Sequence, residues 1–403
     1  KKETINFITF EEYVKSGYWI TSGSSSIGLV EWSKDEDTGH FRARKNMILD
    51  LYTKEELWQI VKDWDGNIEN RAIIKNELGK VRLAVACPIE MYLCESYLFE
   101  MTGHLYKTWD GITLDETPEE ELNRTLEIQR LLKQGSYCLP FDYAGFDHQV
   151  TTKEVEWIVD YYFQKGEINI PPDHLLNFRK IRSKVVKAYS KSKITTTQDN
   201  KKISFDIEGG LPSGVRITSL IGNIWNSVMT RISRNLVVKL INYDPVQQLS
   251  LRGDDSLIIC RSIVECYIFR LSYQAINAIG NSNKFGITAQ EGEFLRTVIT
   301  KTDKFGWVCR AIPSITQRKP WNPEPWEPNH MVITIKQNID LLERRLQNNN
   351  VVKLHQANKL QWSKWVRQSY KWLELPRRLG GVGIYRFEGW VTDTRLSPSQ
   401  KPS

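Results

Sequence analysis

The sequence has few of the residues that build metal clusters and disulfide frameworks. Its six cysteines and six histidines are scattered along 403 residues, and no CxxC pair occurs. We therefore expect no zinc site, and we expect reduced, mostly buried thiols, because free cysteine packs as a small hydrophobe. No apolar run approaches the ~18 residues of a membrane span, and the first four residues lead into no signal-peptide apolar region. From these absences we expect a protein that neither spans a membrane nor is secreted.

Disorder is also not indicated, since 40% hydrophobic and 26% charged residues are typical of a folded globular chain. The chain begins with Lys1 rather than methionine, in sequence that resembles the interior of a folded domain. We therefore expect that an N-terminal portion is missing.

Positive charge, in contrast, is present and concentrated. The net charge is +7. One basic run contains no acidic residue: Arg179, Lys180, Arg182, Lys184, Lys187, Lys191 and Lys193. Counterion release makes such a run a natural contact for a phosphate backbone, and a plain solvated face is the alternative.

Two adjacent carboxylates, Asp254 and Asp255, stand between two apolar runs. Gly253 precedes them, and a Gly-Asp dipeptide with apolar flanks predicts a β-hairpin in which glycine supplies the positive φ of the turn. Hard cations such as Mg²⁺ need anionic oxygen ligands and open sites for water and phosphates, so this turn favours nucleotidyl transfer. A solvated turn is the alternative for the triplet alone.

A second pair of carboxylates, Asp142 and Asp147, follows a predicted strand at residues 137–141, which a predicted helix at residues 118–134 precedes. Thr151 and Glu154 have capping-box spacing, and apolar residues recur at helical spacing after them. Asp142 is therefore expected on a rigid strand end, where a metal ligand can be held accurately.

Residues 209–218, which we call the glycine-rich loop, have the sequence GGLPSGVRIT and open a predicted helix with an apolar stripe. Glycine lets the backbone approach a phosphate or base closely, and a helix N-terminus favours anions. Upstream, Lys80 and Arg82 would share one face of a strand and could clamp a triphosphate. An ordinary cap loop and an ordinary surface strand are the alternatives.

The C-terminal part is predicted to be mainly helical. The proline-rich stretch at residues 320–328 cannot continue a helix or a central strand, so it marks a boundary. Apolar residues at helical spacing then predict helices at residues 331–348 and 351–373.

The order of these segments resembles one family. Six segments occur in the order of motifs F, A, B, C, D and E of the right-hand-shaped viral RNA-dependent RNA polymerases. They are the basic strand, Asp-x4-Asp, Ser-Gly-x3-Thr, Gly-Asp-Asp, Lys284 and the string at 293–296. The strings at 306–314 and 318–321 particularly resemble polymerases of double-stranded RNA viruses, the picobirnavirus and totivirus groups. The resemblance is strong at the motifs and loose between them.

The resemblance implies an α+β right-hand polymerase with fingers, a palm containing an antiparallel sheet, and a mainly helical thumb. Its segments would be residues 1–136 in the fingers, 137–165 in the palm with motif A, 166–205 in a fingers insertion, 206–312 in the palm with motifs B to E, and 313–403 in the thumb.

It also implies roles for individual residues. Asp142 and Asp254 would hold two Mg²⁺ or Mn²⁺ ions with Asp255 as an auxiliary ligand, and Lys284 would protonate the leaving pyrophosphate. The nucleotide-binding set would be Lys80, Arg82, Asp147, Ser213, Gly214, Thr218 and Asn223. RNA would contact Lys75, Arg179, Lys184, Lys187, Arg216 and Arg296.

One position departs from the family's spacing. The asparagine that would sense the ribose 2′-OH together with Asp147 is expected at position 222, which is Gly222. Either Asn223 or Asn226 would then take that role. The two-metal in-line displacement itself needs no side-chain nucleophile, and the motifs offer none.

The implied partners are an RNA template, the nascent RNA, ribonucleoside triphosphates and a viral capsid protein, with no membrane, in the host cytoplasm or the virion interior. Two other functions stay open. A reverse transcriptase shares the palm but usually has an aromatic residue where Arg252 and Gly253 stand. A catalytically silent RNA-binding scaffold would keep the shape alone.

Overall fold

The structure is a computed structural model that describes residues 5–21, 24–34, 37–77, 80–198, 201–282, 286–310, 312–313, 327–346 and 370–383. The chain divides into two compact units. The first comprises Lys1–Pro118 and Leu139–Ile287, and the second comprises Glu119–Cys138 and Thr288–Ser403. This division does not decide the five predicted subdomain segments, which stay predictions.

The N-terminal part of the first unit packs short helices against one long buried helix. Thr9 and Thr53 each cap a helix with a capping box. The elements are α1 (Phe10–Ser16), β1 (Ser24–Lys34), β2 (Asp37–Arg44), α2 (Ile48–Leu51), α3 (Lys54–Asp63) and α4 (Ile89–Thr102). Strands β1 and β2 form an antiparallel pair. Most of α4 is buried, so it serves as the core of this part.

A four-stranded sheet has the order β4-β3-β6-β7. Its strands are β3 (Ile68–Glu77), β4 (Lys80–Ala86), β6 (Ser192–Gln198) and β7 (Lys201–Asp206). β3 runs antiparallel to β4 and parallel to β6, and β6 runs antiparallel to β7. The strand predicted around Lys80 and Arg82 is confirmed as β4.

A three-stranded sheet with the order β5-β9-β8 carries the acidic residues. Its strands are β5 (Tyr137–Asp142), β8 (Val246–Arg252) and β9 (Asp255–Cys260). Leu257, Ile258, Ile259 and Cys260 are fully buried, so both faces of β9 are covered by protein. The predicted strand at 137–141 is confirmed, and it extends one residue to include Asp142.

Further helices of this unit are α6 (Phe146–Gln149), α7 (Thr152–Gly166), α8 (Leu175–Ser190), α9 (Thr218–Ile241) and α10 (Ile263–Ala275). Helix α9 contacts β8, α10 contacts β9, and α7 packs between α8 and α9. The predicted capping box of Thr151 and Glu154 is present at the start of α7. An aromatic cluster lies between the elements, in which Phe141 stacks on Tyr273 at 4.0 Å and Trp225 packs against Phe146 at 5.3 Å. These large rings make the sheet and α9 a continuous core.

The second unit contains α5 (Pro118–Lys133), β10 (Glu291–Phe294), β11 (Thr297–Thr300), β12 (Lys304–Gly306), α11 (Pro328–Leu346) and α12 (Tyr370–Glu374). The helices predicted at 118–134 and 331–348 are confirmed as α5 and α11. Most of the helix predicted at 351–373 and of the proline-rich stretch lies outside the described residues. Val332, Ile339, Leu373 and Val382 form a buried cluster here.

All six cysteines lack a disulfide partner, and five of them are buried, as expected; Cys309 is exposed. Within the described ranges, we find no helix with the length and apolarity needed to cross a membrane.

Candidate active site

The acidic turn, Gly253-Asp254, joins β8 to β9, with Arg252 paired to Asp255 across the hairpin. Gly253 has φ 59°, as predicted, and it occupies the first central position, where a II′ turn takes glycine. A Cβ at this position would meet no atom within 4 Å, so the backbone angle alone calls for glycine. Asp254 is exposed at the tip and Asp255 is half-buried.

The outer edge of this hairpin is fixed by a short segment at residues 111–113. Leu251 donates its backbone N–H to Gly111 O at 2.7 Å, and Thr113 donates its own to Leu251 O at 2.9 Å. The Arg252 guanidinium donates to the Thr113 carbonyl and hydroxyl oxygens. Arg252 therefore stabilises the turn through its hydrogen bonds to Thr113.

Asp142 is the last residue of β5, the strand beside β9. The backbone N–H of Asn281 donates to Asp142 O at 2.7 Å, and the Asn281 amide reaches Asp142 Oδ2 at 3.4 Å. The carboxylate is half-buried. Asp142 is thus held on a strand end, as the sequence predicts.

Asn226 on α9 joins the two acidic segments. Its Oδ1 accepts a hydrogen bond from the Tyr143 hydroxyl at 2.9 Å. Its Nδ2 donates to Gly253 O at 2.8 Å and to Ser256 Oγ at 2.9 Å. Because Tyr143 follows Asp142 and Gly253 precedes Asp254, one buried amide brings the strand end and the acidic turn together.

Asn223 holds the same turn through the backbone N–H of Gly253. Its Oδ1 accepts the Gly253 N–H at 3.1 Å, and its Nδ2 donates to Ser219 O at 2.7 Å. Gly222 instead faces Phe146, whose ring would lie 3.3 Å from an added Cβ. Gly222, where the family's spacing would place the asparagine that senses the sugar, therefore lies beside Phe146, the residue before Asp147. The sugar-sensing role of Asn223 or Asn226 stays a prediction.

The glycine-rich loop is bent tightly against the end of β4. Gly214 has φ 119°, and a Cβ there would lie 2.1 Å from Val85 O. Val85 donates its N–H to Ser213 O at 2.7 Å. The Thr218 hydroxyl contacts Pro212 O at 2.7 Å and Val215 O at 3.0 Å, so this side chain closes the loop at the start of α9. The predicted loop-to-helix transition is confirmed.

On β4, Arg82 is exposed and lies opposite Lys75 in the ladder with β3. The side chains of Lys75 and Lys80 lie outside what the structure describes, as does all of Lys284. Their assigned roles stay predictions.

The basic run lies on α8 and in the start of β6, and part of its charge is balanced. Arg179 pairs with Glu167 at 2.7 Å, and Arg182 pairs with Asp160 at 3.0 Å and also with Glu167. Lys184 donates to Trp64 O and lies over the Trp64 ring. Lys187 is exposed, and no ion pair involves it among the described residues. The RNA contacts assigned to Arg179, Lys184 and Lys187 stay predictions.

The turn between β10 and β11 carries Leu295 and Arg296, both exposed. Their φ angles are 51° and 62°, so two residues with side chains adopt the left-handed conformation in succession. Arg296 is thereby presented at a hairpin tip.

Within the described residues, no three His, Cys, Asp or Glu side chains are grouped closely enough to hold an ion. The donor types nevertheless fit a hard cation, because Asp142, Asp254 and Asp255 all offer carboxylate oxygens. Mg²⁺ sites that act on phosphates commonly use one or two carboxylates and complete the shell with water and phosphate oxygens.

Sequence reasoning missed the roles of Asn226, Asn223 and Arg252 in holding the turn. Two asparagines among the buried residues of α9 were the available signal, since buried amides need partners.

A three-stranded sheet with carboxylates at a strand end and on the adjacent hairpin, next to a glycine-rich loop, defines the class of right-hand nucleic-acid polymerases. The chain matches the model of the viral RNA-directed RNA-polymerase family over residues 2–318, and it belongs to that family. The predicted family and the α+β polymerase fold are confirmed.

Named relatives agree. The probable RNA-directed RNA polymerase of Giardia lamblia virus (isolate Wang) is 24% identical over 371 residues, 90% of this chain and 18% of that protein. The probable RNA-directed RNA polymerase of Helminthosporium victoriae virus-190S is 22% identical over 263 residues, 63% of this chain and 28% of that protein. This chain thus spans less than a third of either relative.

Among solved structures, the RNA-dependent RNA polymerase of a human picobirnavirus matches with a TM-score of 0.58 and 10% identity, covering 95% of this chain and 75% of that chain. At this identity the likeness concerns the fold.

Proposed function

We propose that this chain carries out template-directed RNA synthesis by two-metal-ion nucleotidyl transfer. The observation that carries the proposal is the shared amide of Asn226, which holds the residue after Asp142 and the residue before Asp254. Membership of the viral polymerase family supports the same reaction.

In this proposal Asp142 and Asp254 hold two Mg²⁺ or Mn²⁺ ions, with Asp255 as an auxiliary ligand. The metals would activate the 3′-OH and stabilise the pyrophosphate leaving group. Arg82 and Lys80 bind the triphosphate, the glycine-rich loop lies against the nucleotide, and Lys284 supplies a proton to pyrophosphate. Lys187 and Arg296 contact RNA phosphates.

The proposed partners are template RNA, nascent RNA, ribonucleoside triphosphates and a viral capsid protein. The proposed location is the host cytoplasm or the virion interior.

The test is primer extension by the full chain with Mg²⁺ or Mn²⁺. Asp254→Asn and Asp142→Asn keep side-chain shape and remove a charge, so incorporation should fall by on the order of 10³-fold or more while the fold survives. Asp173→Asn is the matched control, because Asp173 is exposed in a short 3₁₀ helix (Pro172–His174) and belongs to none of the predicted motifs. Incorporation by Asp254→Asn at the wild-type rate would refute the site.

The same assay separates the alternatives. A preference for ribonucleotides supports RNA synthesis, a preference for deoxyribonucleotides supports a reverse transcriptase, and RNA binding without incorporation supports a silent scaffold.

Asp147 provides a sharper test of sugar selection. A site that hydrogen-bonds a hydroxyl leaves polar groups unpaired when the hydroxyl is absent, so discrimination on the order of 10³-fold is available. Asp147→Ala should shrink the ribo/deoxy ratio of incorporation efficiency. An unaltered ratio with persistent activity would show that Asp147 is only a loop carboxylate.

A further inference from the structure

Glu95 lies in the middle of α4 and belongs to none of the motifs in the sequence. Its side chain is fully buried, at 0% exposure, in a helix whose other inward residues are mostly apolar. Burying a carboxylate is unfavourable unless hydrogen-bond donors surround it, so such a residue needs a structural or functional reason.

The donors come from the glycine-rich loop and from α8. Glu95 Oε2 accepts the backbone N–H of Arg216 at 3.0 Å, and Oε1 accepts the Tyr189 hydroxyl. The backbone of Ile217 also lowers the pKa of this carboxylate. Glu95 therefore holds the loop at Arg216, two residues before α9 begins.

The same helix holds the Arg216 side chain. Phe99 lies one turn after Glu95 on α4, and the Arg216 guanidinium lies over the Phe99 ring at 5.3 Å from its centre. α4 thus fixes both the backbone and the side chain of Arg216. On the other side of the loop, Val85 binds Ser213.

We propose that Glu95 is a positioning residue that sets the conformation of the glycine-rich loop and thereby the affinity for the incoming nucleotide. The role rests on the proposed polymerase function, and it acts through Arg216 and Ile217 without contact between Glu95 and substrate.

The protonation of Glu95 gives this role a measurable signature. Burial raises its pKa to about 7, against the lowering effect of the hydrogen bonds from Tyr189, Arg216 and Ile217. Tyr189 on α8 and Arg216 on the loop are the titratable and charged groups that bind or face Glu95. Two thiols also interact with it, Cys87 just before α4 and Cys94 in α4, and Lys184 lies near Cys94.

The direction of the pH effect follows from the hydrogen-bond donors around the Glu95 carboxylate. Above pH 7 the carboxylate is ionised and accepts the hydrogen bonds from Arg216 and Tyr189, so the loop is held in place. As the pH falls through about 7, protonation weakens that acceptor, and the KM for nucleotide should rise. Glu95→Gln keeps the shape of the side chain and holds it neutral at every pH.

The first experiment reads the loop without requiring polymerisation. Hydrogen-deuterium exchange at pH 8 should show the Arg216 and Ile217 amides exchanging about tenfold faster in Glu95→Gln than in wild type, because a charge-assisted acceptor is lost. Glu100→Gln, an exposed glutamate of the same helix, is the matched control and should leave exchange unchanged. Equal exchange in Glu95→Gln and wild type would overturn the proposal, whether or not the chain polymerises RNA.

The second experiment reads nucleotide affinity against pH. At pH 8, Glu95→Gln should raise the KM for nucleotide about three- to tenfold with a smaller change in kcat, and the difference from wild type should shrink by pH 6. A constant difference across this pH range would contradict the role of the carboxylate.

Tyr189→Phe sharpens the result, since it removes a hydrogen bond that lowers the Glu95 pKa. The acid limb of the KM profile should therefore move to higher pH in this variant. An unmoved limb would assign the limb to another group and overturn the proposal.

Discussion

Two of the two-residue hairpin turns, both among the residues that the structure describes, differ in how they use the left-handed backbone conformation. In the acidic turn, Gly253 takes φ 59°, and the neighbouring Asp254 has an ordinary negative φ. In the turn between β10 and β11, Leu295 and Arg296 take φ 51° and 62° and carry side chains there.

The difference shows how each turn is held. Two asparagines of α9 bind the N–H and the carbonyl oxygen of Gly253, so side chains position the acidic turn, and glycine adopts its positive φ without strain. The Leu-Arg turn is strained, and its strand pairing keeps it in place with Phe294 buried beneath the Arg124 guanidinium. The proposed contact of Arg296 with RNA would give this strain a function.

Among the changes that compare the two turns, the largest effect should come from removing the side-chain support of the acidic turn. Asn226→Ala leaves the Tyr143 hydroxyl, Ser256 and the Gly253 carbonyl without their partner, which should lower the free energy of unfolding by about 2–3 kcal/mol. A displaced turn should also lower incorporation by on the order of 10²-fold. Denaturant unfolding and primer extension measure the two effects. Asn177→Ala, at an exposed position of α8, is the control, and equal loss in both variants would argue against the positioning role.

An intermediate effect should follow from giving the acidic turn a side chain. Gly253→Ala meets no neighbouring atom, so its penalty of about 1 kcal/mol should come from the positive φ alone. Thermal unfolding measures this penalty. A much larger loss would mean that the turn has no room to adjust, contrary to the open space around Gly253.

The smallest effect should come from relaxing the Leu-Arg turn. Arg296→Gly and Arg296→Ala remove the same charge, so each should reduce the salt slope of RNA binding by roughly one unit. Only glycine relieves the backbone, so Arg296→Gly should be more stable than Arg296→Ala by about 0.5–1 kcal/mol. Equal stabilities would show that this turn is unstrained.

Local patterns predicted the elements of the site well. The capping box at Thr151, the strand ending at Asp142 and the Gly253 turn all depend on residues within a few positions of one another. Each of these features follows from short-range geometry that the sequence displays directly.

Contacts between distant segments were not predictable in this way. Asn226 and Gly253 lie 27 residues apart, and which face of α9 meets the turn depends on how the helix packs. The basic run contains no acid of its own, yet Glu167 and Asp160 from the preceding elements balance Arg179 and Arg182. Glu95 had only a weak signal, because it is one of three glutamates in α4 and the sequence does not show which of them is buried.

Helix α9 also fixes the distance between the glycine-rich loop and the acidic turn. Thr218 closes the loop and Asn226 binds the turn, and eight residues of helix separate them by about 12 Å. One inserted or deleted residue between them would change this length by about 1.5 Å and rotate Asn226 by about 100° away from its partners. The spacing from Thr218 to Asn226 should therefore tolerate substitutions at many positions but no change in length.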